Sequence, residues 1–150
     1  MKVFISQSKP RSLALAQTLE SFIRKVVQGT EPWVSDSGID KGARFTEAIR
    51  ENLDQAVAGV VCLTSENLTE PWILWEAGAL STKVTDRVWT LLLDVDHTQV
   101  AAPLTGYNHT KADKDDVWKL IRSIHKTVIA AKEKTCSEGD LKELFDAFWA

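Results

Sequence analysis

Apolar runs too continuous for a sheet with one wet face place the tightest limit on how this chain can fold. The clearest is Val57-Ala58-Gly59-Val60-Val61-Cys62-Leu63-Thr64, and residues 88–95, which include Trp89, form another. A strand that is apolar on both of its sides has to be covered on both. Between and around these runs the period changes. Leu15, Leu19, Phe22, Ile23 and Val26 recur at helical spacing, as do Phe45, Ile49, Leu53 and Ala56, and again Val117, Leu120, Ile121, Ile124 and Val128. Val3-Phe4-Ile5-Ser6 and Trp33-Val34-Ser35 read as two further strands, and residues 103–110 as a short fifth. Strands that alternate with amphipathic helices imply an α/β fold: an open, doubly wound, five-stranded parallel sheet with helices on both faces.

Size and charge narrow what such a sheet can do. The 150 residues, 44% hydrophobic and 26% charged, suffice for one substantial core. A formal charge of −3 and the lack of any Lys/Arg run argue against direct nucleic-acid binding, which depends on neutralising several phosphates. Met1 leads straight into Lys2-Val3-Phe4-Ile5, and no stretch approaches membrane-spanning length, so we expect a cytoplasmic location and no membrane contact in this segment. Cys62 and Cys136 offer neither metal spacing nor a disulfide framework and read as reduced thiols. His97, His109 and His125 share no ligand spacing, and no metal site is expected.

One helix breaks the pattern. Pro71-Trp72-Ile73-Leu74-Trp75-Glu76-Ala77-Gly78-Ala79-Leu80 is almost wholly apolar, yet carries one carboxylate. Pro71 suits a first helical turn, Thr69 or Glu70 can cap it, and a helix over 70–83 puts Trp72 and Glu76, four residues apart, on one face. The plain alternative is a structural glutamate satisfied by backbone donors.

In a parallel sheet of this kind ligands bind beyond the carboxyl ends of the strands, which directs attention to three loops. Ser6, Gln7, Ser8 and Lys9 supply donors after the first strand, though a polar loop before a helix is commonly no more than a turn. Asp36-Ser37-Gly38-Ile39-Asp40-Lys41-Gly42 follows the second and is flanked by Arg44. The helix with Trp72 and Glu76 follows the third. No G-x-G-x-x-G or Walker loop occurs, so any nucleotide would be held in another way.

Val3-Phe4-Ile5-Ser6, the loop Gly38-Ile39-Asp40-Lys41-Gly42 before Phe45, the strand and turn Gly59-Val60-Val61-Cys62-Leu63-Thr64-Ser65-Glu66-Asn67-Leu68, and Pro71-Trp72 to Glu76-Ala77-Gly78-Ala79-Leu80 together resemble a bacterial Toll/interleukin-1 receptor (TIR) domain of the NAD⁺-cleaving type. The resemblance runs over residues 1 to 130 in the expected order. It implies a flavodoxin-like sheet and an NAD⁺ nucleosidase that releases nicotinamide and makes ADP-ribose or a cyclic ADP-ribose in antiphage defence. NAD⁺ would be substrate, with no resident cofactor. The matching catalytic residue is Glu76, and the implied substrate-binding set is Trp72, Ser6, Gln7, Ser8, Asp36 and Phe45. It also implies self-association through TIR–TIR contacts that involve the 36–42 loop.

The implied chemistry needs only one carboxylate. Nicotinamide leaves ribose as a neutral molecule, so no general acid is required, unlike ordinary glycoside hydrolysis. A carboxylate beside the ribose stabilises the positive charge that develops there. Trp72 or Trp75 can stack on a planar ring, although an aromatic on such a helix is more often core. Two other readings stay open: a non-catalytic TIR–TIR interaction or adaptor module, and a nucleoside 2-deoxyribosyltransferase-like enzyme that uses a pocket glutamate on a different substrate. We expect the domain over 1–135. Residues 136–150, an amphipathic stretch ending on aromatics, read as a helical extension that opens a further sensor or assembly region or packs back on the sheet.

Overall fold

The structure is a computed structural model, and it describes residues 2–7, 10–35, 43–68, 71–83, 87–100, 107–130 and 135–149. Five strands, β1 (Lys2–Ser6), β2 (Glu31–Val34), β3 (Ala56–Leu63), β4 (Val88–Leu92) and β5 (Asn108–Lys111), pair in the order β2-β1-β3-β4-β5. Every pairing is parallel. The expected five-stranded α/β sheet is therefore present, in flavodoxin-like order.

Alternation along the strands decides which helix each side chain meets. Val3 and Ile5 of β1, Ala58, Val60 and Cys62 of β3, and Trp89 and Leu91 of β4 point to one face, covered by α1 (Pro10–Val26), α4 (Lys114–Ala130) and α5 (Glu138–Trp149). Phe4, Val61, Leu63, Val88 and Leu92 point to the other, covered by α2 (Ala43–Gln55) and α3 (Pro71–Lys83). The two cores explain why β3 and β4 read as unbroken apolar runs: both of their sides are interior.

Several element boundaries differ from the sequence reading. Ala56 opens β3 and does not close α2. β4 stops at Leu92, three residues short of the expected end, because Asp94 adopts a left-handed backbone with φ of 59° and turns the chain away. Val95 nonetheless stays buried, which is why its hydrophobicity extended the apparent strand. β5 covers only Asn108–Lys111, and residues 103–106 of the expected 103–110 strand lie outside the described part. A single 3-10 turn, His97–Gln99, is what the described residues between β4 and β5 contain.

The C-terminal helix packs back. Leu141 and Phe145 of α5 are fully buried, and the Phe145 ring lies 5.4 Å from Phe22 of α1 and 5.1 Å from Trp118 of α4. His125 shares a 2.7 Å hydrogen bond with the Cys136 carbonyl, and Arg122 pairs with Glu138 at 2.7 Å, so the chain entering α5 is tied to α4 as well. No helix among the described residues is long and apolar enough to cross a membrane.

Candidate active site

Strand β1 sits at the point where the chain order reverses, with β2 on one side and β3 on the other, and the crevice at their carboxyl ends is where such sheets take ligands. Ser6 is the last residue of β1, on the same side as Phe4 and hence toward α3. Ser35 follows β2 and shares the side of Trp33, which packs against the same core. Pairing of Ile5 with Val34, continued by the 2.9 Å hydrogen bond from Ser35 N–H to the Ile5 carbonyl, sets the two serines level with each other.

Helix α3 brings the carboxylate to them. Ile73, Glu76, Ala77 and Leu80 form its buried face at the i, i+3, i+4, i+7 spacing. Gly59 of β3 lets that face come close. A β-carbon there would stand 2.7 Å from Leu80 Cδ1 and 2.8 Å from Cδ2, so any larger residue would force the Leu80 side chain to move. Tyr107 also holds this helix, its hydroxyl donating to the Ala77 carbonyl at 2.9 Å.

Glu76 is fully buried. The Ser6 hydroxyl donates to its Oε1 at 2.6 Å and the Ser35 hydroxyl donates to the same oxygen at 3.0 Å. Oε2 is buried and has no hydrogen-bond partner among the described residues. Removal from water raises the carboxyl pKa from an ordinary 4.5 to about 8, with the two serine hydrogen bonds pulling the other way. Gln7, almost fully buried, braces the arrangement: its backbone N–H donates to Ser35 Oγ at 3.4 Å, and its side-chain amide donates to the Ser35 carbonyl.

The turn from β3 into α3 is fixed by buried polar groups. Ser12 Oγ donates to the Cys62 carbonyl at 2.8 Å and Asn67 Nδ2 donates to it at 3.0 Å, while Asn67 Oδ1 accepts the Thr64 N–H at 2.8 Å. Arg11, at the start of α1, pairs with Asp94 beyond the end of β4. Cys62, between these groups, is a buried thiol pushed up to about 12 and therefore unreactive.

Of the residues singled out from sequence, Glu76, Ser6 and Gln7 come together here. The backbones of Trp72 and Phe45 lie in α3 and α2, but their side chains fall outside the described residues, as do Ser8 and Asp36 altogether. Ser35 was missed. Its signal was present in the sequence only as a hydroxyl at the end of the second strand, like Ser6 at the end of the first. An apolar hollow of about 270 Å³ between α1 and α5, lined by Leu15, Leu19, Phe22, Val117, Phe148 and Trp149 among others, contains no ionisable lining residue and has no part in this chemistry.

No protein-family model matches the sequence, and no curated protein matches it. Among solved structures the chain is similar to the TIR domains in the structure of the activated Roq1 resistosome directly recognizing the pathogen effector XopQ. The two are 17% identical with a TM-score of 0.47, over 85% of this chain and 83% of that one. What the protein does is read from the site itself.

Proposed function

We propose that the chain is a TIR-type NAD⁺ nucleosidase, which breaks the bond between nicotinamide and ribose and yields ADP-ribose or its cyclic form. The observation that carries this reading is the fully buried carboxylate of Glu76, with Oε1 doubly hydrogen-bonded and Oε2 without a partner among the described residues. A glutamate kept for structure would have both oxygens satisfied, since a buried, unpaired polar atom forfeits its hydration without return. An oxygen left bare in a dry site becomes useful when positive charge develops beside it. The nicotinamide–ribose bond breaks in that way. The pyridinium leaves as a neutral base, no acid is needed, and charge passes to the ribose ring.

Glu76 has to be ionised for this role. With its pKa near 8 the resting site is largely protonated at neutral pH, which spares the fold a buried charge. A positively charged pyridinium nearby favours the carboxylate, so arrival of substrate itself promotes ionisation. Trp72, one turn before Glu76 in the sequence, supplies an aromatic wall for a planar ring in this reading. The sequence resemblance further supports activation by self-association and a role in bacterial antiphage defence, with a sensor region or signal ligand as the source of the trigger.

Product analysis tests the reading. Purified protein incubated with NAD⁺ should give nicotinamide and ADP-ribose, linear or cyclic, in equal amounts by chromatography and mass spectrometry. Absence of nicotinamide at every protein concentration would overturn it and leave the interaction module. Transfer of a deoxyribose between bases, with NAD⁺ untouched, would point to the deoxyribosyltransferase class.

A further inference from the structure

We propose that Ser6 and Ser35 are positioning residues for Glu76, their hydroxyls pinning Oε1 so that Oε2 alone is presented to the reacting ribose. The inference rests on the nucleosidase reading and adds to it the two groups that orient the carboxylate. A serine hydroxyl has one proton to give. Both serines, each fully buried, give theirs to the same oxygen, at 2.6 and 3.0 Å. If their task were only to satisfy a buried glutamate, one on each oxygen would serve better. The arrangement instead makes the two oxygens inequivalent.

The geometry of Ser35 is set independently of Glu76. The Gln7 backbone N–H donates to Ser35 Oγ, the Gln7 side-chain amide donates to the Ser35 carbonyl, and the Ser35 N–H donates to the Ile5 carbonyl at 2.9 Å. With Oγ already accepting from Gln7, its own proton is left to point at Glu76. Ser6 is set by the β1 backbone, which pairs Ser6 with Val61 of β3. The carboxylate is thus gripped by two strand ends and not by its own helix.

Among the described residues, few other groups can govern its ionisation. Of the elements packed on α3, β1 carries Lys2, which donates to Asn52 Oδ1. β3 carries Cys62, which belongs to the opposite core, and β4 carries no titratable side chain. On α2, Arg50, Glu51 and Asp54 are exposed, and the side chains of Arg44 and Glu47 lie outside the described residues, as does that of Lys83 on α3 itself. Tyr107 is committed to the Ala77 carbonyl. Burial raises the Glu76 carboxyl and the two hydroxyls lower it. Removing either hydroxyl therefore shifts its ionisation to higher pH as well as loosening its aim.

Ser6→Ala, Ser35→Ala and the conservative Ser35→Thr are to be compared with wild type in NAD⁺ cleavage across pH and in thermal melting. Each alanine should lower kcat about tenfold, leave KM within about twofold, and move the acid limb of the rate profile up by about half to one pH unit. Ser35→Thr, which keeps the donor, should restore both. Should an alanine variant not fold, Ser→Cys at that position keeps the size with a weaker donor and is read in the same way. Alanine variants with wild-type kcat and acid limb would overturn the proposal. So would a fall in kcat that tracks the melting temperature with the limb unmoved, which marks a merely structural role. Wild-type protein that releases no nicotinamide would sink the nucleosidase reading instead. In that case titration of the ¹³C-labelled Glu76 carboxyl tests the pinning of Oε1 alone: a raised pKa in both alanine variants upholds the two hydrogen bonds, and an unchanged one overturns them.

Discussion

Replacing Glu76 with glutamine should stabilise the fold, and by an amount that grows with pH. In the unfolded chain the carboxyl titrates near its ordinary 4.5, and in the folded protein near 8. Between those values the folded state keeps a proton that the unfolded state has already released, so stability falls as pH rises. The favourable contribution of the buried, protonated carboxyl is complete below about 4.5 and gone above about 8. At about 1.4 kcal/mol per pH unit the interval amounts to about 5 kcal/mol, comparable with the whole stability of many small domains. Glutamine has the same shape, does not titrate, and still offers Oε1 to Ser6 and Ser35. The two proteins should therefore be similar near pH 5 and diverge by about 1.4 kcal/mol per pH unit toward pH 8, the variant being the more stable. Urea unfolding followed by the fluorescence of the six tryptophans, repeated across that range, measures the difference directly. A difference that does not change with pH, or a wild type more stable at pH 8, would refute the reasoning.

Gly59→Ala should destabilise by about 1–3 kcal/mol, because the new methyl meets the fully buried Leu80. Combined with Leu80→Ala, the loss in urea unfolding should be smaller than the sum of the two single losses, and strict additivity would deny the contact. Trp72→Ala should reduce NAD⁺ turnover far more than melting temperature if it walls the pocket, whereas a core tryptophan would cost about 3–5 kcal/mol on truncation with the folded fraction still active. The assembly contact that the sequence resemblance assigns to residues 36–42 implies a specific activity that rises with protein concentration. Gly42→Pro should flatten that rise in parallel light-scattering and nicotinamide-release series. A flat wild-type series from a uniform monomer would remove assembly gating.

The sheet was readable because the period of the apolar residues switches between strand and helix, and because β3 and β4 face interior on both sides. The end of β4 was not. Nothing local announces that Asp94 takes a left-handed backbone, and Val95 is buried whether or not it extends a strand. Glu76 stood out as one charge in an apolar helix, and the structure gives that oddity a physical form in an oxygen without a partner among the described residues. Ser35 could not stand out in the same way. Its meeting with Glu76, 41 positions away in the chain, depends on the parallel pairing of Ile5 with Val34 and on α3 crossing above it. Phe145 illustrates the same limit: an amphipathic ending fits either a free helix or one that packs, and only the rings of Phe22 and Trp118 decide.

Nicotinamide release by wild type and by Glu76→Gln, measured side by side at pH near 8 on folded protein at high concentration, asks whether Glu76 drives cleavage of NAD⁺. Wild type should release nicotinamide steadily. The variant should be slower by a factor on the order of a thousand, since the one oxygen aimed at the developing charge no longer carries a negative charge. Turnover by the glutamine variant within a few-fold of wild type would contradict it.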